Sequence, residues 1–586
     1  MPIPSPTPHA TENPLVEVEF NLWTRPDCAG TPYENQNRTW FHFAVTGGRP
    51  NQIVKFNVMN LNKQAKLFSQ GMHPVTKVGP NGRWERIKDK PSYSITNDVF
   101  FISFLHKVPE VGGDTTRIYY AFTFPFTYTE LMDQLSAFDR KFGRHPFELH
   151  KMAYDISQKY DSLPATAAEE SKNISNLAPH RRKGKLSKME RVDRTSPESF
   201  DETARDGVGE GSPPGKEVLA EAAKSLQTVL GPGGAGGMLN VASAAAVAAN
   251  PSPEDDQKAD PRDEIYYCRE LLTHSIEHRR IELLTISSFH GIQTARETRL
   301  RNLFPDEAAQ RCHTFREKKI VFISSRVHPG ETPASFVLNG FLSMLLDRKS
   351  IVSQTLRRMY VFKIIPFLNP DGVYNGLYRS DTRGHNLNRV YISPCHETQP
   401  AIYAARNHYR SHRNEYLNPV MGGGGVGGVP RSLNISLDFL AQLDERHDRV
   451  VYEDRSNLFM YIDLHGHASK KGVFMYGNHL PSTVEAVECM LLPRLMSLNS
   501  QHFHFDACNF SERNMYYKGK RDGLSKEGSG RVAVYKSTGL IKSYTLECNY
   551  NTGKCVNILP PRGKEIVAKT THTLVPPKYT PAVFEE

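Results

Sequence analysis

Paired cysteines are missing from this chain. It has eight cysteines in 586 residues and no CxxC spacing, which excludes a disulfide-stapled secreted scaffold and a Cys-rich zinc module. Long apolar runs are missing too. None approaches the roughly 20 residues a membrane-spanning helix needs. The opening, Met1-Pro-Ile-Pro-Ser-Pro-Thr-Pro8, lacks the basic start and apolar stretch of a signal peptide. The expected compartment is reducing, the cytosol or the nucleus. Acidic residues are outnumbered, 63 Asp and Glu against 73 Lys and Arg, for a net charge of +10. That excess favours an acidic partner without choosing among nucleic acid, anionic lipid and acidic protein. Apolar residues make up 39%, enough for a large core with part of the chain left outside it.

What is present falls into segments. Residues 1–15 are expected to be disordered. From 16 to 155 apolar and polar residues alternate, as in Val16-Glu-Val-Glu-Phe-Asn-Leu-Trp23, Thr39-Trp-Phe-His-Phe-Ala-Val45 and Gln52-Ile-Val-Lys-Phe-Asn-Val58. Turn-forming clusters separate these runs, so this part predicts an antiparallel β-sandwich domain. All three tryptophans (Trp23, Trp40, Trp84) fall here and are expected in its core or on its sheet faces. Residues 156–263 then lose their aromatics. Phe200 is the only one between Asp161 and Ile265, in a chain that is 10% aromatic. This low-complexity insertion is expected to be disordered; its basic cluster at His180-Arg-Arg-Lys-Gly-Lys185 is either a nuclear signal or a solvated charge run.

From 264 to 580 the pattern is α/β. Buried-type strands at Lys319-Ile-Val-Phe-Ile-Ser-Ser325, Met359-Tyr-Val-Phe-Lys-Ile-Ile365 and Leu458-Phe-Met-Tyr-Ile-Asp-Leu464 alternate with helical stretches at 334–346 and 484–496. This predicts a parallel or mixed sheet covered by helices, interrupted by a flexible Gly-rich loop at about 418–435.

Two of these strands run into histidine, in the sequences Val327-His328-Pro-Gly-Glu331 and Asp463-Leu-His465-Gly-His467. Open α/β sheets gather functional groups past the carboxyl ends of their strands. His328 and Glu331, bent through Pro-Gly, can face one point, and a third ligand from a neighbouring strand would complete a His₂Glu zinc set with an open position. The spacing alone is weak in a chain with 23 histidines, and His467 competes with His465. The chain has no His-Glu-x-x-His and no Gly-x-Ser-x-Gly. Asn369-Pro-Asp-Gly372 is followed by a loop bearing Arg379, Arg383, Asn388 and Arg389, either a carboxylate clamp or a solvated ion-pair loop. Ile541-Lys-Ser-Tyr-Thr-Leu-Glu547 is a strand ending in a glutamate among apolar residues, a general-base candidate or an ordinary edge carboxylate.

In this order these motifs resemble the zinc metallocarboxypeptidases, and more narrowly the cytosolic carboxypeptidases that deglutamylate tubulin. Trp23-Thr-Arg-Pro-Asp-Cys28 and Tyr544-Thr-Leu-Glu-Cys-Asn-Tyr550 share the likeness. The resemblance implies an α/β mixed-sheet zinc carboxypeptidase domain, with His328, Glu331 and His465 holding one zinc ion and Glu547 as catalytic base and acid. It also implies that Arg379 stabilises the developing oxyanion and that Asn388 and Arg389 hold the terminal carboxylate. The substrates it implies are polyglutamylated tubulin tails, branch points included, and other acidic protein C-termini, in a cytoskeleton-associated protein. Membrane and nucleic acid are not expected as partners. For the γ-carboxylate of a leaving glutamate the candidates are Arg383, favoured because it shares a loop with Arg379 and Arg389, and Lys526 or Arg531. Residues 511–542 carry eight Lys/Arg against three Asp/Glu, a rim expected to steer an acidic tail. The rival readings are an amidohydrolase or deacylase acting on small N-acyl amino acids, and a catalytically silent microtubule-binding protein.

Overall fold

The computed structural model describes residues 16–97, 99–110, 115–161, 260–414, 457–519, 523–559 and 575–586. Nearly all of the expected insertion and Gly-rich loop lies outside them. The insertion's edges do not. A helix, Pro146–Asp161, runs past the expected boundary at 156, and a 3₁₀ turn occupies Pro261–Asp263. The last turns of that helix, from Asp155 on, fall outside the compact unit that the other described residues form.

Eight strands make the N-terminal domain: β1 (Val18–Leu22), β2 (His42–Val45), β3 (Ile53–Leu61), β4 (Val75–Val78), β5 (Glu85–Arg86), β6 (Ser92–Thr96), β7 (Val99–Lys107) and β8 (Ile118–Ala121). They form two four-stranded sheets, ordered β1-β3-β7-β6 and β2-β8-β4-β5. Phe56, Val58, Ile102, Phe104, Ile118 and Tyr120, drawn from both sheets, are buried in one shared cluster. The sandwich is not wholly antiparallel, because β1 pairs with β3 in parallel. After β1 the chain crosses to the other sheet to form β2, then returns from the same end, and only such a crossover permits parallel pairing. The domain also closes with a helix the strand-like reading did not anticipate, Tyr128–Phe142, capped by a reciprocal Thr127/Glu130 box. Trp40 and Trp84 pack partly against core clusters. Trp23, expected in the core or on a sheet face, is 65% exposed, because it opens the loop that leaves the sheet.

The second domain is built on β9 (Ile265–His274), β10 (Arg280–Ser288), a ribbon of β11 (Ile292–Arg296) and β12 (His313–Phe315), then β13 (Lys319–Ser325), β14 (Tyr360–Ile365), β15 (Leu458–His467), β16 (Val473–Tyr476) and β17 (Ser543–Asn549). The seven-stranded sheet runs β16-β17-β15-β13-β14-β10-β9. Its four central strands are parallel and its flanks antiparallel. Alternate residues feed opposite faces. Val321, Ile323, Phe362 and Ile364 join one core cluster, while Ile320, Phe322, Val361 and Ile365 join another. Covering both faces is what makes these strands continuous apolar runs rather than alternating ones. Among the described residues no helix is long and apolar enough to cross a membrane.

Candidate metal centre

The site forms where β13, β15 and β17 end side by side. Past β13 the chain turns through Arg326, whose φ of +56° is rare for a side-chain-bearing residue. The buried Arg326 guanidinium then donates to Pro329 O (3.1 and 2.6 Å), Phe126 O (3.1 Å) and Ser335 Oγ (2.9 Å), tying the His328–Glu331 turn in place. Gly330 is required by close approach, since a Cβ there would lie 2.5 Å from the Tyr378 ring. In the parallel register of β15 and β17, His465 sits directly beside Glu547, so both side chains project on one face.

His328, Glu331 and His465 are all buried, and their candidate ligand atoms lie within 4.8 Å of one another. Glu331 Oε1 is 2.9 Å from His328 Nδ1, and Oε2 is 2.8 Å from His465 Nδ1. The outer nitrogens are already engaged: His328 Nε2 with Asn386 Oδ1 at 3.0 Å, and His465 Nε2 with Asp463 Oδ2 at 2.8 Å. Asp463 is held in turn by the Ser324 hydroxyl at 2.8 Å. This is the outer support that orients ligating histidines. His328 Nδ1 is out of alignment with Glu331 and has no hydrogen bond although buried. A buried nitrogen without a partner, facing a carboxylate and a second imidazole, fits a cation. On a tetrahedral zinc with bonds of roughly 2.0–2.2 Å, ligand atoms are about 3.4 Å apart, within the spread seen here.

Charge in the cluster follows the same geometry. Burial, then the neighbouring Arg379, lowers His328 to about 4. Burial alone would raise the Glu331 carboxyl, yet the two imidazoles hold it well below its ordinary value. Burial likewise opposes charge on His465, but Asp463 and Glu331 push it well above the usual imidazole range. Glu547 is raised to about 7, chiefly by burial and further by the Glu331 charge, against the pull of His465, Lys526 and Arg379. Its carboxylate makes no hydrogen bond or ion pair among the described residues.

Other candidates sort as follows. The Arg379 guanidinium lies 3.4 Å from Glu331 Oε1. Asn388 Nδ2 approaches His465 Nε2 at 3.4 Å, its Oδ1 accepts from Gly530 N at 3.0 Å, and Arg389 Nη1 folds back onto Asn388 O at 2.6 Å. His467 is turned aside. It accepts from the Ser469 and Lys470 amides and burial lowers it to about 4. The Arg383 amide donates to Asp381 Oδ1 at 3.0 Å, in a turn that lies against the N-terminal domain at Gly384, where a Cβ would meet Tyr33 O at 2.7 Å. Lys526 is among the charges that lower Glu547, and the Glu547 charge in turn acts on Arg531. The basic rim is thinner than its composition suggests. Arg531 is buried, Lys536 and Lys542 pair with Glu527 and Glu488, and Lys520 and Arg521 lie outside the described residues.

A second group, Glu297, His408 and His412, has the same ligand spacing. There Glu297 is already paired with Lys363 at 2.6 Å and Arg311 at 3.0 Å, so a third cation would meet two in place. Sequence reasoning missed Arg326, Asn386 and Asp463. Asp463 had a signal, since residues i and i−2 share a strand face; the other two contribute only through contacts distant in sequence.

The zinc carboxypeptidase family model matches residues 267–570. The chain is similar to cytosolic carboxypeptidase-like protein 5 of Danio rerio, 37% identical over 632 residues, 98% of this chain and 59% of that protein. The Homo sapiens protein of that name is 37% identical over 619 residues, covering 97% and 57%. Cytosolic carboxypeptidase 6 of Caenorhabditis elegans is 23% identical over 541 residues, covering 91% and 74%. The chain therefore spans less than two thirds of the length of the two type 5 proteins. With the match over residues 267–570 set on the buried His328, Glu331 and His465 centre, the chain belongs to the zinc carboxypeptidase family.

Proposed function

We propose that this chain is a zinc-dependent carboxypeptidase that removes glutamate from acidic protein tails in the cytoplasm, polyglutamylated tubulin among them. The observation that carries the reading is the register that sets Glu547 beside His465, next to three converging ligands. His328 Nδ1, His465 Nδ1 and Glu331 would hold the zinc, which supplies Lewis acidity toward water and the scissile carbonyl. Glu547 accepts the proton from the attacking water, and a carboxyl raised to about 7 is suited to return it to the leaving amine. Arg379 brings fixed positive charge to where the oxyanion develops. Asn388 and Arg389 face the terminal carboxylate of the substrate.

The preference for glutamate rests on cations that lack an anion. Arg531 is 3% exposed, and its Nη1 donates to Gly477 O and Asn478 Oδ1, both at 2.6 Å. Among the described residues no carboxylate pairs with it, and burial lowers it to about 10. Lys526 Nζ donates to an amide oxygen, Asn514 Oδ1 at 2.8 Å, and lies over the Tyr476 ring, with no carboxylate partner among the described residues. A buried cation without a counter-ion is costly, and an incoming γ-carboxylate would relieve it. On this reading these two residues are favoured over Arg383 as the side-chain readers. The test is release of terminal glutamate from a polyglutamate-tailed tubulin peptide, before and after chelation and with zinc restored. Cleavage of a short N-acyl amino acid in its place would favour the deacylase reading, and no release with zinc bound would sink both.

A further inference from the structure

The N-terminal domain reaches into the site through one carboxylate. Three consecutive backbone amides of the arginine loop converge on Asp27: Tyr378 N at 2.6 Å on Oδ1, Arg379 N at 2.8 Å and Ser380 N at 3.0 Å on Oδ2. The Ser380 hydroxyl adds a fourth bond at 3.0 Å. Successive amides pointing to one spot form an anion-binding nest, here filled from within the chain. Asp27 is 3% exposed, so neither it nor the amides can turn to water instead.

Asp27 is itself well anchored. Its own amide donates to Asn37 O at 2.6 Å and its carbonyl accepts from Asn35 N at 3.1 Å. Asn35 Nδ2 also reaches Ser380 Oγ at 3.1 Å, and Cys28 Sγ donates to Asp381 O at 3.2 Å. The Thr24 hydroxyl and amide fasten the start of this loop to Asn60 Oδ1 at 3.0 and 2.7 Å. By contrast, the Arg379 guanidinium makes one contact among the described residues, with Glu331 Oε1 at 3.4 Å, and is 27% exposed. Its aim is therefore set by its backbone rather than by neighbours of its side chain.

We propose that Asp27 is a positioning residue of the active site, holding the 378–380 backbone so that the Arg379 guanidinium faces the His465 and Glu547 centre. The inference rests on the role given to Arg379 above. It makes the N-terminal sandwich a structural part of the catalytic apparatus rather than an appended module. An asparagine at 27 keeps the shape but has one acceptor oxygen and an NH₂ that would confront the amide donors.

The experiment compares Asp27→Asn, Arg379→Ala and the double variant in the full chain loaded with zinc. Asp27→Asn is expected to keep zinc content and KM near wild type. Its kcat should fall at least about tenfold, toward the roughly hundredfold that a 1 Å misplacement can cost. Hydrogen exchange of a peptide containing residues 378–380 should accelerate, and in the Arg379→Ala background Asp27→Asn should cost no further activity. An equal fractional loss in both backgrounds, or unchanged exchange, overturns the inference. Normal turnover by Arg379→Ala alone would instead bring down the functional reading. If Asp27→Asn does not fold, Ser380→Ala removes one of the four bonds and should show the same pattern, several-fold in kcat; wild-type kcat with unchanged exchange there refutes the proposal.

Discussion

Replacing Glu547 by glutamine should make the protein more stable and nearly inactive, with the stability gain depending on pH in a set direction. In the metal-free fold the carboxyl is raised from 4.5 to about 7, so between those values the folded state keeps a proton the unfolded chain has released. The folded state binding more protons means stability falls as pH rises through the window. Below about pH 4.5 Glu547 costs nothing, and above about pH 7 the full cost applies. At about 1.4 kcal/mol per pH unit that cost is at most about 3.5 kcal/mol, and at pH 5 it is under about 1 kcal/mol. For roughly 400 cooperatively melting residues, with an unfolding entropy of about 2.1 cal/mol/K each, this corresponds to about 3–4 °C. Thermal unfolding of the chelated wild type and Glu547→Gln at pH 5 and pH 8 should show the variant's advantage only at the higher pH. With zinc bound the advantage should shrink, because the cation favours the ionised carboxylate. Turnover of the zinc-loaded variant should fall about 10²–10⁴-fold. A Tm difference of the same size at both pH values, or wild-type turnover, would refute the reasoning.

Three further outcomes follow from the same geometry. Because Asp463 and Glu331 hold a proton on His465, zinc uptake near pH 7 should expel it; titration calorimetry in buffers of different ionisation enthalpy reads that directly, and buffer-independent heats would contradict it. Asp463→Asn removes the carboxylate behind His465 Nε2 and should weaken zinc binding about 10–100-fold in a competition assay with a chromogenic chelator, whereas unchanged affinity would show that Asp463 does not support the ligand. Lys526→Met should raise KM about tenfold for glutamate-ended peptides and little for apolar-ended ones, the size expected when a charge-assisted bond is lost, while Arg383→Leu should change neither. The reverse pattern would return the side-chain reader to the arginine loop.

The α/β character of residues 264–580 was legible because central parallel strands buried on both faces must be apolar throughout, as β13 and β14 are. Placing His328, Glu331, His465 and Glu547 at strand ends also needed only local pattern. The resemblance to the zinc carboxypeptidases then assigned their roles. Pairing order was not legible. That β15 lies between β13 and β17, setting His465 against Glu547, is a matter of register between segments about 80 residues apart, which no local periodicity encodes. The parallel β1–β3 pair and the exposed Trp23 came from a crossover between sheets, invisible to an alternation that reads the same in either direction. Arg383 is favoured in sequence by its proximity to Arg379 and Arg389, and in the fold its amide closes a turn on Asp381. Arg531, from a helix 142 residues beyond Arg389, lies in the charge field of Glu547. Sequence alone determined which chemistry the side chains could perform, since that depends on residue type and strand periodicity. Only the tertiary structure decided which of them meet and what holds them there: Asn386 and Asp463 behind the histidines, Arg326 under the His328 turn, and Asp27 beneath Arg379. Such supports act through single hydrogen bonds between distant segments, and hydrogen bonds of that kind leave no period in a sequence.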